Sequence, residues 1–194
     1  MVVLFSGSHF LGLFKKPSSL LCSDLLGKRT ILGISLDLQC CTLGPWQERR
    51  RLIEAQEIRK ALQTALKRIS VDAVVLAGDF NVVSTGMPLA ATTNPYPPPH
   101  FALVPVETIH LDGAETWTWD GRGTPYPSNV LDFSLYSPGS LEPISAIVVS
   151  TEDLSPMSLA DHNLNAGSSR ALSDHLPIVI DYRWRPRTWQ AKPR

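Results

Sequence analysis

One stretch limits what this chain can fold into: Val71-Asp-Ala-Val-Val-Leu-Ala-Gly-Asp-Phe-Asn81. Its middle, Ala73 to Ala77, is apolar without interruption, rich in β-branched side chains and short, the pattern of a strand buried on both faces. It stops abruptly at Gly78-Asp79-Phe80-Asn81, so a carboxylate and a carboxamide leave its C-terminal end. In a layered α/β sheet that end is the mouth where ligands gather. The plainer reading is a buried strand that closes in an Asx turn.

The residues ahead of this strand supply its partners. From Ile34 on, the segment Thr30 to Gln39 alternates, with Ile34, Leu36 and Leu38 on one face and Ser35, Asp37 and Gln39 on the other, which predicts a half-polar strand. Gly44-Pro45 opens a helix, with proline at the first helical position, where its missing N–H costs nothing. From Trp46 to Ile69 the apolar residues Leu52, Ala55, Ile58, Leu62, Ala65, Leu66 and Ile69 recur at three- and four-residue steps. The run Arg49-Arg50-Arg51 is read as a solvated face of that helix rather than as a nucleic-acid contact. Strand, helix and strand in this order are the signature of a layered sheet. After Asn81, the connection Val82 to His100 ends in Asn94-Pro-Tyr-Pro-Pro-Pro-His100, and its prolines predict a surface loop beside the mouth.

Two later segments repeat the theme of an apolar strand bordering a polar motif. Between Thr116 and Tyr136 a Thr- and Trp-rich strand and a Gly/Pro turn lead to a second strand, on which Leu131, Phe133 and Leu135 share one face and Asp132 takes the other. Near the end comes Ala171-Leu-Ser-Asp-His-Leu-Pro-Ile-Val-Ile-Asp-Tyr182. In this order, Gly-Asp-Phe-Asn, then Thr followed by Leu-Asp-Phe, then Ser-Asp-His-x-Pro resemble the motifs of the endonuclease/exonuclease/phosphatase superfamily, the DNase-I-like metal-dependent phosphoesterases. The sequence departs from that pattern at two places. Val130 stands where an Arg is usual, and Ser35 and Asp37 stand where a strand often reads Asn-x-His-Leu.

The resemblance implies an α/β (α+β) fold, a DNase-I-like four-layer sandwich with mixed β-sheets that is incomplete at the N-terminus. It spans residues 30–183, between an irregular segment or strand remnant at 1–29 and a basic, frayed tail at 184–194. Val74–Ala77, Leu131–Leu135 and Pro177–Tyr182 are expected as strands of one mixed sheet, and Pro143 to Ser150 as a further strand. Thr151 to Arg170 is expected as a polar connection in which the neighbours Asp161 and His162 are incidental. The resemblance assigns catalysis to Asp79, Asn81, Asp132 and His175. Asp79 would activate or orient water, Asn81 would donate to a phosphate oxygen, and His175 would contact the phosphate. Asp132 would hydrogen-bond the other ring nitrogen of His175 at about 2.6–3.2 Å. Asp174 would reach toward a Mg²⁺ (or Mn²⁺) ion.

The expected function is that of a metal-dependent phosphoesterase. Because no Asn or metal-binding Glu of the early strands is found ahead of Thr30, a catalytically inactive truncated remnant with a binding role is the alternative. On that view an open strand edge flanks the Gly-Asp-Phe-Asn strand, and metal affinity and turnover are low. With 18 basic and 18 acidic residues the formal charge is zero, so a phosphoester substrate fits without favouring long nucleic acid. Trp117 and Trp119 are candidates for shaping the substrate site, with core positions as the commoner use of such aromatics. No apolar run reaches the roughly 20 residues of a membrane-spanning helix. The apolar N-terminus lacks the order of a signal peptide, since its first basic residues, Lys15 and Lys16, follow the apolar segment. Cys22, Cys40 and Cys41 lack zinc spacing and are expected as buried or reduced thiols.

Overall fold

The structure is a computed structural model, and it describes residues 2–5, 18–23, 29–40, 45–93, 95–96 and 102–186. Two mixed sheets carry the architecture. The five-stranded sheet runs in the order β2 (Ser18–Ser23), β3 (Thr30–Asp37), β4 (Ala73–Asp79), β7 (Asp132–Tyr136) and β5 (Val104–Pro105). The four-stranded sheet runs β1 (Val2–Phe5), β9 (Ile178–Trp184), β8 (Leu141–Val148) and β6 (Ile109–His110). Helix α1 (Pro45–Leu66) crosses between β3 and β4, which pair in parallel from Ile31↔Ala73 to Asp37↔Asp79. On its other side β4 pairs antiparallel with β7, from Val75↔Tyr136 to Asp79↔Asp132.

The burial of β4 explains its sequence. Val74 and Leu76 face a core filled by Ala55, Ile58 and Leu62 of α1, by Leu36 and Leu38, and by Phe80 and Leu135. The alternate residues, Ala73 and Val75, face a second core with Ile31 and with Ile178, Ile180 and Tyr182 of the four-stranded sheet. Helix, five-stranded sheet and four-stranded sheet are therefore successive layers, and every residue from Ala73 to Ala77 is buried between them. A continuous apolar run is what such a position requires. Helices α3 (Pro156–Asp161) and α4 (Ser168–Leu172) lie in the connection between β8 and β9.

Several expectations are corrected by these contacts. The strand around Pro177–Tyr182 is not a neighbour of β4 but the second strand of the other sheet. The Gly-Asp-Phe-Asn strand has no open edge, since β3 and β7 flank it. Within the segment 1–29, read as irregular structure or a strand remnant, β1 pairs with β9 and β2 with β3, in line with the strand alternative. Strand β9 continues through Trp184, beyond the start of the expected tail, and residues 187–194 of that tail lie outside the described residues. The connection after Asn81 forms α2 (Met87–Thr93) before its prolines, and Pro97 to His100 also lie outside the described residues. The polar stretch Thr151 to Arg170 contains a 3₁₀ turn and α3, and it runs into α4, because Ser150 and Ser155 cap the first two of these. Cys40 is disulfide-bonded rather than a free thiol.

Arg51 differs most from its reading. It is fully buried, and its Nε and Nη2 donate to Glu48 Oε2 at 3.2 and 2.9 Å while Nη1 donates to the Gln39 carbonyl at 3.2 Å. Glu48 also accepts from the hydroxyls of Ser84 and Thr85. The pair thus ties α1 to the end of β3 and to the segment that follows Asn81. A buried guanidinium is tolerated only with such partners.

Gly78 is the residue on which the end of β4 turns. Its φ is +138°, and a Cβ there would lie 2.0 Å from the Leu36 carbonyl oxygen on the adjacent strand. Gly78→Ala is therefore expected to lower stability by about 3 kcal/mol or more, from backbone strain together with the clash. A urea unfolding midpoint equal to that of the parent at unchanged m would show that the strand end has room this reading denies it.

Candidate active site

The three motifs converge at one point where the two sheets meet. Asp79 ends β4, Asp132 begins β7 beside it, and His175 stands just ahead of β9 in the other sheet. His175 Nδ1 lies 2.8 Å from Asp132 Oδ2, within the expected range for a hydrogen bond. Its other nitrogen, Nε2, lies 4.0 Å from Asp79 Oδ2. Phe80, fully buried, sets the backbone after Asp79 by packing edge-on to Phe133, with ring centroids 5.7 Å apart. Its N–H donates to the Leu131 carbonyl at 2.9 Å, which stitches the Asp79 and Asp132 segments together.

Asn81 has φ +48°, a left-handed conformation that Asn adopts more readily than most residues. The turn brings its backbone N–H to Asp79 Oδ1 at 2.8 Å, the Asx geometry of the plainer sequence reading. Its side-chain amide donates to Asp79 Oδ2 at 2.7 Å and to the Leu38 carbonyl at 2.8 Å. Both acceptors are oxygens, so the amide orientation is fixed by its surroundings. With both amide hydrogens engaged, Asn81 holds the Asp79 carboxylate and keeps none free for a phosphate.

Asp174 projects at the exposed rim, where the Trp119 indole N–H donates to its Oδ2 at 2.9 Å. The group of described residues whose ligand atoms lie close enough to share a metal is Asp79, Asp132 and His175, all within 4.8 Å of one another. Asp174 stands outside that group. The register places a third aspartate in the row, since Asp37 pairs across to Asp79 and Asp79 to Asp132 on three adjacent strands. Asp37 occupies one of the positions where the sequence departs from the family pattern, and no site role attaches to it in the motifs. Parallel pairing of β3 with β4 is the signal that brings it in. Trp119 is neither a plain core residue nor a free stacking surface, since it orients a carboxylate.

Like charges set directly across neighbouring strands repel, and the electrostatics of the site follow from this. Burial and then the Asp132 charge push Asp79 up from its ordinary 3.8 to about 7, against the opposing pull of His175. Burial alone would lower the His175 imidazole. The hydrogen bond and charge of Asp132, with Asp79 and Asp174 behind them, outweigh burial and raise it from 6.5 to about 9. Asp37, an exposed residue at the edge of the row, is also raised, by partial desolvation of its carboxyl first, although the His175 charge lowers it. Asp132 Oδ1 is buried and has no hydrogen-bond partner. The centre is a carboxylate row with one imidazolium as its internal counter-charge.

Both of these shifts are upward, so between about pH 4 and pH 9 Asp79 and His175 together hold more protons in the native chain than in the unfolded one. A raised pKa stabilises below the unfolded value and loses that contribution as pH climbs through the folded value. For Asp79 the window runs from 3.8 to about 7, and for His175 from 6.5 to about 9. The melting temperature is therefore expected to fall as pH rises from 5 to 9, and His175→Gln should flatten the upper part of that slope. A melting temperature that rises steadily over this range in the parent would contradict the assignment.

The sequence matches no family model, and no curated protein sequence matches it either. By structure the chain is similar to the human Nocturnin catalytic domain with bound sulfate, with a TM-score of 0.53 and 18% identity over 95% of this chain and 59% of that one. It is similar to sphingomyelinase C from Streptomyces griseocarneus, with a TM-score of 0.53 and 18% identity over 84% and 56% of the two chains. A mutant beta toxin from Staphylococcus aureus with bound magnesium ions gives 0.53 and 17% identity, over 85% and 57%. The chain thus spans between 56% and 59% of these three structures. The two packed mixed sheets and these likenesses agree on one architecture: the chain has the DNase-I-like fold.

Proposed function

We propose that this chain is a metal-dependent phosphoesterase that hydrolyses a phosphodiester. The observation that carries the reading is the imidazole of His175, held on Nδ1 by Asp132 and facing Asp79 across 4.0 Å with Nε2. That separation exceeds a hydrogen bond, so an Nε2–H remains available to a phosphate oxygen or to the leaving oxygen. Asp132 fixes the tautomer and favours the charged ring, the orienting logic of an Asp–His pair. Asp79, held by Asn81, would orient the attacking water.

The donor set suits a divalent cation. Asp79 and Asp132 offer hard carboxylate oxygens, one of them the unpartnered Asp132 Oδ1, and Asp37 and Asp174 add negative charge nearby. Asp79 and Asp132 would hold the ion, with Asp174 reached from the rim, and Mg²⁺ or Mn²⁺ is the fitting choice. Such an ion, when bound, supplies neutralisation of the charge on the non-bridging oxygens. The superfamily's solved members support this reading through a sphingomyelinase C and through a beta toxin with bound magnesium. Binding without turnover is the second reading. What favours it is that the chain spans little more than half of those structures.

Bis(p-nitrophenyl) phosphate assayed with Mg²⁺ or Mn²⁺ separates the two. Turnover should disappear with EDTA and fall at least about 10²-fold in Asp79→Ala and in His175→Ala. Metal binding by calorimetry with no turnover on any phosphodiester would leave the binding reading. Turnover indifferent to both substitutions would remove this site from the chemistry.

A further inference from the structure

The bond between Asp132 and His175 joins residues from different sheets, and something must hold the two segments in register. A short extended segment, Thr118 to Asp120, lies between them. On one side Thr118 and Trp119 donate their N–H groups to the Asn129 carbonyl at 3.0 Å each, and Asn129 N–H returns to Trp119 at 3.1 Å. On the other side Leu176 N–H donates to the Thr118 carbonyl at 2.8 Å and Asp120 N–H to the Asp174 carbonyl at 2.7 Å. His175 is thus bracketed by two backbone bonds to this segment.

The Thr118 side chain completes the link. Fully buried, its hydroxyl oxygen accepts from Leu131 N–H at 3.0 Å and from Asp132 N–H at 2.9 Å. Two accepted bonds use both lone pairs of a hydroxyl. One residue therefore grips the backbone that carries Asp132 with its side chain and the backbone that carries His175 with its carbonyl. We propose that Thr118 is the positioning residue that sets Asp132 against His175. This extends the phosphoesterase reading, on which its effect on turnover rests, while its effect on the Asp132–His175 bond stands apart from any activity. A threonine of ordinary structural use would steady the fold without selecting the geometry of that one bond.

The test compares Thr118→Val, which keeps the shape and removes the oxygen, with Thr118→Ser, which keeps the oxygen. The readout is the downfield Nδ1–H proton resonance of His175, assigned by its loss in His175→Gln, and its protection from solvent exchange. Thr118→Val should lose or broaden the resonance, because two buried N–H groups are left to find partners by moving, and Thr118→Ser should keep it. On bis(p-nitrophenyl) phosphate, kcat of Thr118→Val should drop by about 10²-fold with KM near the parent, as for a reacting group displaced by about 1 Å, and Thr118→Ser should recover most of it. A folded Thr118→Val with the parent's resonance and protection overturns the proposal, as does a Thr118→Ser that loses them. If Thr118→Val does not fold, Thr118→Ser decides alone. A parent chain without turnover would count against the phosphoesterase reading only, since the resonance still reports the bond.

Discussion

Everything in this molecule is arranged around a strand with no face in water. From Ala73 to Ala77, β4 is covered by α1 on one side and by the four-stranded sheet on the other, and it is paired along both edges. Its C-terminal end carries the polar motif, where Asp79 and Asn81 are themselves buried. Gly78 makes the transition possible, because the neighbouring Leu36 carbonyl occupies the volume a Cβ would need. The layers thus fix both where the site is and which residue must precede it.

The site in turn is held together by opposed charges in a poorly hydrated place. Asp37, Asp79 and Asp132 stand side by side on three strands, an arrangement that costs stability unless something neutralises it. His175 supplies one positive charge, Asn81 supplies two N–H donors to Asp79, and Thr118 secures the backbone under Asp132. Further out, Arg122 donates to both oxygens of Asp120 and to Glu152, so the segment that brackets His175 is itself anchored by ion pairs. The ordering runs outward from the Asp132–His175 pair, with each layer fixing the one inside it.

Much of this was legible in the residues. The apolar run of β4, the alternation of β3 and the three polar motifs specify a layered sheet and bring Asp79, Asp132 and His175 together, because each motif sits where a strand begins or ends. What escaped depends on tertiary contact. Nothing local distinguishes the buried Arg51 from the exposed Arg49 and Arg50, since only the carbonyl of Gln39 and the acid of Glu48 make its burial tolerable. Assignment of β9 to the other sheet follows from its apolar contacts with β3 and β4, which periodicity does not encode. The engagement of both Asn81 amide hydrogens follows from where the Leu38 carbonyl lies, which the motif by itself does not specify. Thr118 is one of two threonines in the stretch Thr116-Trp-Thr-Trp, and only the hydrogen bonds separate them.

The seam between the sheets gives the site a property of its own. Asp132 arrives on one sheet and His175 on the other, so neither sheet by itself contains the pair. A folding intermediate with one sheet formed would have its carboxylates, but no imidazole set against them. The Asp132–His175 pair therefore forms only once the stack has closed. In this molecule the hydrogen bond at the seam is a gauge of completed assembly, read out by the same atoms that would do the chemistry.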